Sequence, residues 1–90
     1  MKKSNRLAYY IEDLWTKGFK LTDEEVRFIY FGKNSTDAPE WKIMLALRIT
    51  LRVQKSFDAS FFLSLLELLN SDTIKTKKEA NTALKDKGFV

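Results

Sequence analysis

Residues 37–55 read DAPEWKIMLALRITLRVQK, and the fold depends on whether this stretch forms a helix or a strand. Every odd position from 41 to 53 is apolar, which is the two-residue period of a strand. Asp37, Pro39 and Glu40 favour a helix instead, because Pro39 suits a first turn and Glu40 completes a capping box with Asp37. A strand over the whole alternating stretch would also exceed the usual length of about 3–10 residues. We therefore predict a helix that begins at Asp37.

Capping residues and glycines predict four further helices. The hydroxyls of Thr22 and Thr76 can each accept from the amide three residues later, where a glutamate can reach back, as in a capping box. Each of the three glycines stands just after a predicted helix end, where a left-handed residue closes the last turn. The predicted helices are residues 5–17, 22–31, 37–54, 58–70 and 76–87, with residues 33–36 as a loop.

Composition and length predict one small all-α domain of four to five helices. The chain has 90 residues, of which 44% are apolar and 31% charged, the balance of a globular protein. We expect residues 1–74 to form the helical core. Residues 75–90 hold five lysines and two acidic residues, so we expect them to form a basic C-terminal helix or tail.

The fourth predicted helix is apolar on nearly every side, which is typical of a central helix or of one in a subunit interface. A chain this small buries only roughly 60% of its unfolded surface, so self-association is the simplest way to cover its aromatic residues. We therefore expect a homodimer. Its expected interface residues are Phe61, Phe62, Leu65 and Leu68.

Several function classes are disfavoured by the residues that the chain lacks. There is no histidine and no cysteine, which removes the commonest general base, the thiolate nucleophile and the usual transition-metal ligands. The glycines stand alone, so no glycine-rich phosphate loop is present. No apolar run approaches the ~20 residues that a membrane helix needs. We expect a cytoplasmic, non-enzymatic protein without cofactor or metal.

The candidate binding residues are basic and aromatic. On a helix, Trp41, Arg48, Arg52 and Lys55 share one stripe, where the cations can neutralise successive phosphates and the indole can stack on a base or hold an arginine by a cation–π contact. A solvated basic face, with the indole packed on a neighbouring helix, is the alternative. The C-terminal segment adds Lys75, Lys77 and Lys78, as a phosphate-contacting arm or as a solubilising helix.

Two functions are compatible with these patterns. The first is a small regulatory protein that binds another protein through the aromatic and leucine-rich surfaces of the second and fourth helices, as an inhibitor, adaptor or immunity-type factor. The second is a DNA- or RNA-binding regulator that uses the basic stripe and tail. The formal net charge is +4, and most of the excess lies in the tail, whereas nucleic-acid binders usually carry a stronger basic patch. Protein binding is therefore favoured.

A family resemblance accompanies the second function. Residues 49–53, ITLRV, followed by residues 75–80, KTKKEA, resemble the strand and second helix of ribbon–helix–helix repressors and antitoxins. In that family alternate strand side chains contact the DNA major groove. The resemblance implies that role for Thr50 and Arg52.

Overall fold

A computed structural model describes residues 6–89 of the chain, and these residues fold into five α-helices without a strand. The all-α prediction is confirmed. The predicted start of the first helix at Asn5 lies outside the described residues. The helices are α1 (Arg6–Thr16), α2 (Asp23–Thr36), α3 (Glu40–Gln54), α4 (Ala59–Leu69) and α5 (Lys77–Asp86).

Helix α3 is central, since it packs against α1, α2 and α4. A helix with neighbours on several sides needs apolar residues around most of its circumference, which explains the alternating pattern without a strand. The ribbon–helix–helix alternative is therefore wrong. Thr50, one of its expected base contacts, is fully buried, and its hydroxyl donates to the carbonyl of Ala46 at 2.8 Å.

The predicted start of α3 at Asp37 is also wrong. The helix begins at Glu40, and Pro39 is its N-cap without a side-chain hydrogen bond. Asp37 instead ends α2 in the left-handed conformation, at φ 56°. The reason is that α2 runs on through Gly32 to Thr36, so the predicted loop over residues 33–36 is helical.

Gly32 lies inside α2 because two helices approach closely there. A Cβ atom at this position would lie 3.2 Å from Cδ2 of Leu66 and 3.3 Å from Cε2 of Phe62, both on α4. These distances are tighter than ordinary van der Waals contact. The glycine therefore marks the contact between α2 and α4 and not the end of a helix.

The other predicted helix starts are confirmed by hydrogen bonds. In α2, the amide of Glu25 donates to Oγ1 of Thr22 at 3.1 Å, and the Glu25 carboxylate accepts from the Thr22 amide at 2.9 Å. In α5, Thr76 and Glu79 form the same box. In α4, a carboxylate oxygen of Asp58 accepts from the amide of Phe61 at 2.9 Å.

Two glycines end helices as predicted. Gly18 has φ +95°, and the amide of Phe19 donates to the carbonyl of Leu14 at 2.9 Å, which completes a Schellman ending of α1. Gly88 has φ +82°, and the amide of Phe89 donates to the carbonyl of Leu84 in the same way.

Helix α4 contributes four buried side chains to the core. Its buried residues are Phe62, Leu65, Leu66 and Leu69. The ring of Phe62 lies 5.5 Å from that of Phe57, which precedes the helix, and 6.4 Å from that of Phe28 on α2. Phe28 also contacts Phe31, whose side chain is 59% exposed.

Helix α5 is docked on α4 by a narrow apolar face. Ala80 and Leu84 are fully buried, and the Phe89 ring meets that of Phe61 edge to face at 5.5 Å. The basic C-terminal segment is therefore a packed helix. Within residues 6–89, no helix has the length and hydropathy needed to cross a membrane.

Candidate binding cleft

A cleft of about 210 Å³ is lined by side chains of α1, α3 and α5, and we call it the α1–α3–α5 cleft. Helix α3 contributes four side chains, and each of the other two helices contributes a pair. Within each helix the lining residues are related by steps of three or four, so that they share one face. The lining residues are Arg6 and Tyr10 of α1, Trp41, Met44, Leu45 and Arg48 of α3, and Lys77 and Asn81 of α5.

The cleft combines an apolar surface with cations from all three helices. Met44, Leu45 and the rings of Tyr10 and Trp41 are partly buried. The cationic side chains of Arg6, Arg48 and Lys77 are exposed. None of the described residues that line the cleft is acidic, so its lining carries only positive formal charge.

Burial raises the pKa of the Tyr10 hydroxyl above its usual value. The positive charge of Arg48 acts in the opposite direction and is the next largest influence, followed by that of Lys17. The phenol is therefore neutral at physiological pH and can donate a hydrogen bond to a bound group.

The indole of Trp41 has a second cation beside it, outside the cleft lining. The Lys42 ammonium lies 5.7 Å from the centre of the Trp41 ring, within the range of a cation–π contact. Only 6% of the Lys42 residue is exposed, so its side chain is packed into the protein beside the indole. The part of the ring that reaches the cleft is available to a ligand.

The chain can be placed in a family on its whole length. The model of a family described as "Family of unknown function (DUF6123)" matches residues 1–90. The chain belongs to DUF6123. No curated protein and no solved structure matches the chain. The function of this DUF6123 member must therefore be argued from the chemistry of its surfaces.

The predicted binding residues divide between the cleft and other surfaces. Trp41, Arg48 and Lys77 come together in the cleft. Arg52 and Lys55 are exposed on α3 beyond it, where Lys55 is the left-handed C-cap at φ 68°. Two residues near Lys77 lie elsewhere. Lys75 precedes α5 and donates its amide to Glu79 at 2.8 Å, and Lys78 lines a separate groove on α5.

The residues expected at a dimer interface are also divided. Phe62 and Leu65 are 0% and 1% exposed, because they fill the core of their own chain, so they present no surface to a second subunit. Phe61 and Leu68 are partly exposed. Homodimer formation stays a prediction, and only these last two residues are placed to contribute to it.

The sequence analysis missed five residues of the cleft. Helical periodicity could have shown which residues share a face of one helix, but not which helix faces line the same cleft. None of the five is among the predicted binding residues. Arg6 with Tyr10 and Lys77 with Asn81 are spaced i,i+4. Which helix faces meet depends on tertiary packing. The residues missed were Arg6, Tyr10, Met44, Leu45 and Asn81.

The described residues offer little for metal chemistry. Between residues 6 and 89, there is no group of three or more acidic side chains that could hold a metal ion. The cleft itself supplies cations, hydrogen-bond donors and aromatic faces, which suit an anionic ligand with an apolar part.

Proposed function

We propose that this protein is a cytoplasmic, non-enzymatic regulator that binds another protein by taking an acidic segment of it into the α1–α3–α5 cleft. The observation that carries the proposal is the lining: three cations and two aromatic rings from three helices, without an acidic side chain. Carboxylates of a bound segment would pair with Arg48, Arg6 and Lys77. Apolar side chains between them would lie on Met44 and Leu45.

The dimensions and surroundings of the cleft favour a protein segment over a nucleic acid. A volume of about 210 Å³ suits a few side chains. Carboxylates stand close by, since Asp13 is near enough to influence the Tyr10 hydroxyl and Glu40 directly precedes Trp41. A long polyphosphate backbone would extend past the three cations of the cleft toward Asp13, which is already paired with Lys17 at 2.8 Å, whereas a short segment can keep its carboxylates on those cations.

One observation favours nucleic acid as a second candidate. Arg52 follows Arg48 one turn later on α3, Lys55 is the C-cap of that helix, and all three are exposed. From residue 41 to the end of α3, every charged side chain is basic. Such a stripe can neutralise successive phosphates, while Trp41 stacks on a base.

The two candidate functions differ in whether Arg52 contacts the ligand, and a fluorescence-anisotropy titration distinguishes them. The probes are a labelled peptide of alternating glutamate and leucine, its glutamine counterpart, and labelled single-stranded and duplex DNA and RNA, each at two salt concentrations. The variants are Arg48→Glu in the cleft, Arg52→Glu beyond it, and Arg27→Glu as a matched exposed arginine on α2.

Protein binding predicts that the acidic peptide binds, that its glutamine counterpart does not, and that only Arg48→Glu abolishes binding. Nucleic-acid binding predicts that Arg48→Glu and Arg52→Glu weaken DNA or RNA binding alike, with an affinity that falls steeply with salt. An acidic peptide that fails to bind, or that loses affinity equally in all three variants, would contradict the proposal.

A further inference from the structure

The outer face of α5 carries a regular pattern that the cleft does not use. Lys78, Thr82 and Asp86 follow one another at four-residue steps and are all exposed. At 100° per residue, Thr82 lies on the side of α5 opposite the buried Ala80 and Leu84. The pattern therefore faces solvent in the single chain, with a cation at one end, a carboxylate at the other and a small side chain in the middle.

Both charges of this pattern are unfavourably placed relative to the dipole of α5. Lys78 is in the first turn of α5, where the helix dipole favours negative charge. Asp86 is the last residue of α5, where the dipole favours positive charge. Among residues 6–89, neither side chain has a salt-bridge partner within 4.0 Å.

A second copy of the same helix, in antiparallel orientation, would place a charge of opposite sign beside each of these two side chains. With Thr82 at the two-fold axis, each Lys78 approaches the carboxyl-terminal end of the partner's α5 and the partner's Asp86. In the commonest class of helix packing, the row of side chains four residues apart on one helix lies alongside the equivalent row on the other helix. The row formed by Lys78, Thr82 and Asp86 would pack on its own copy in this way. An isologous interface requires this kind of self-complementarity, in which one surface contacts its own copy.

The surface next to this pattern supplies apolar contact. Lys78, Thr82 and Asp86 line one side of a groove of about 410 Å³ that runs between α5 and the end of α4. Leu68, Ile74 and Ala83 also line it. Leu68 is one of the two expected interface residues that remain partly exposed.

We infer that a second copy of this chain docks on the outer face of α5, antiparallel about Thr82, with Lys78 paired to the partner's Asp86 on both sides of the two-fold axis. This surface is distinct from the α1–α3–α5 cleft, which uses Lys77 and Asn81 on another face of the same helix. The cleft of each subunit therefore stays open in the dimer.

A charge exchange tests the inference. Sedimentation equilibrium should give twice the monomer mass for the wild-type chain. Lys78→Glu and Asp86→Lys each place like charges opposite one another, and each should weaken association by roughly tenfold or more. The double variant Lys78→Glu with Asp86→Lys restores opposite charges and should recover most of the association. Lys20→Glu, at an exposed lysine outside α5, should leave it unchanged.

All three substituted positions are exposed in the single chain, so the variants are expected to fold, and circular dichroism checks that they do. A wild-type chain that stays monomeric at 100 µM would overturn the inference. So would a dimer that none of the substitutions weakens, or a double variant no better than the two single ones. Peptide binding by the cleft is measured separately, so a failure here leaves the proposed function standing.

Discussion

Helix α4 packs against α2, α3 and α5, and its contacts with α2 and with α5 are of different kinds. Toward α2, the backbone of Gly32 lies against Phe62 and Leu66, and the rings of Phe28 and Phe57 continue the contact. Toward α5, the docking helix buries few side chains, chiefly Ala80 and Leu84.

The difference explains where the candidate surfaces lie. The α2–α4 side uses its large side chains within the core, so the aromatic and leucine-rich surface expected to bind a partner is mostly consumed there, apart from Phe31. Helix α5 fully buries only Ala80 and Leu84, with Phe89 packed on Phe61 beyond its end, which leaves its other faces for other uses. One flank forms a wall of the cleft, and the outer face carries the self-complementary charges.

The largest effect is expected from Phe62→Ala, which breaks the α2–α4 side. Phe62 is fully buried, and truncation of a buried phenylalanine costs about 3–5 kcal/mol because a cavity remains. Denaturant unfolding measures this as a fall in the midpoint with little change in slope.

Phe31→Ala is the matched control on the same side. Phe31 is 59% exposed, and its ring contacts that of Phe28 at the edge of the aromatic cluster. The expected loss in free energy of unfolding is therefore within about 1 kcal/mol. Equal losses for Phe31→Ala and Phe62→Ala would mean that the close packing of α2 on α4 is not what stabilises the chain.

The local features of the fold were accessible from sequence, because they depend on residues three to six apart. The caps at Thr22, Asp58 and Thr76 and the endings at Gly18 and Gly88 are of this kind.

Gly32 is the opposite case. The residue that gives it meaning, Leu66, is 34 positions away, and no local pattern distinguishes a glycine at a helix contact from one at a helix end. Asp37 is a related case, because its local pattern with Glu40 predicts the start of α3, whereas the longer α2 makes it the end of α2.

The candidate site divides in the same manner. Trp41 and Arg48 could be placed together from sequence, because they lie about two turns apart on the same face of a single helix. Lys77 was grouped with Lys75 and Lys78 as part of a basic tail, because charge can be counted without a fold. Only the docking of α5 separates Lys77, in the cleft, from Lys78 on the outer face.

A smaller and more local effect is expected from Leu84→Ala, which breaks the α5 side. Leu84 is fully buried, and its truncation should cost about 2–3 kcal/mol. Because α5 contacts only α4 among the helices, the loss should appear first as local opening. Hydrogen exchange should accelerate at the amides of α5 before it does at those of α2.

Leu84→Ala also tests whether α5 completes the cleft. If Lys77 and Asn81 form one wall, the variant should weaken binding of the acidic peptide, although neither residue has been changed. Faster exchange spread evenly over α2 and α5 would show instead that the chain opens as one unit and that the two sides of α4 do not differ.

The smallest effect concerns pH and the start of α5. The hydrogen bond from the Lys75 backbone amide to the Glu79 carboxylate, at 2.8 Å, lowers the pKa of Glu79, and those from the amide and hydroxyl of Thr76 act in the same direction. A lowered pKa in the folded chain means that the cap stabilises α5 fully above the ordinary glutamate pKa of about 4.3. This stabilisation is lost as the pH falls through the lowered pKa of Glu79.

Glu79→Gln cannot titrate, so its thermal midpoint should fall less than that of the wild type between pH 6 and pH 2.5. Thr76→Ser keeps the hydroxyl and should follow the wild type. Parallel losses in Glu79→Gln and the wild type would mean that acid acts elsewhere in the chain and that the cap does not control the docking of α5.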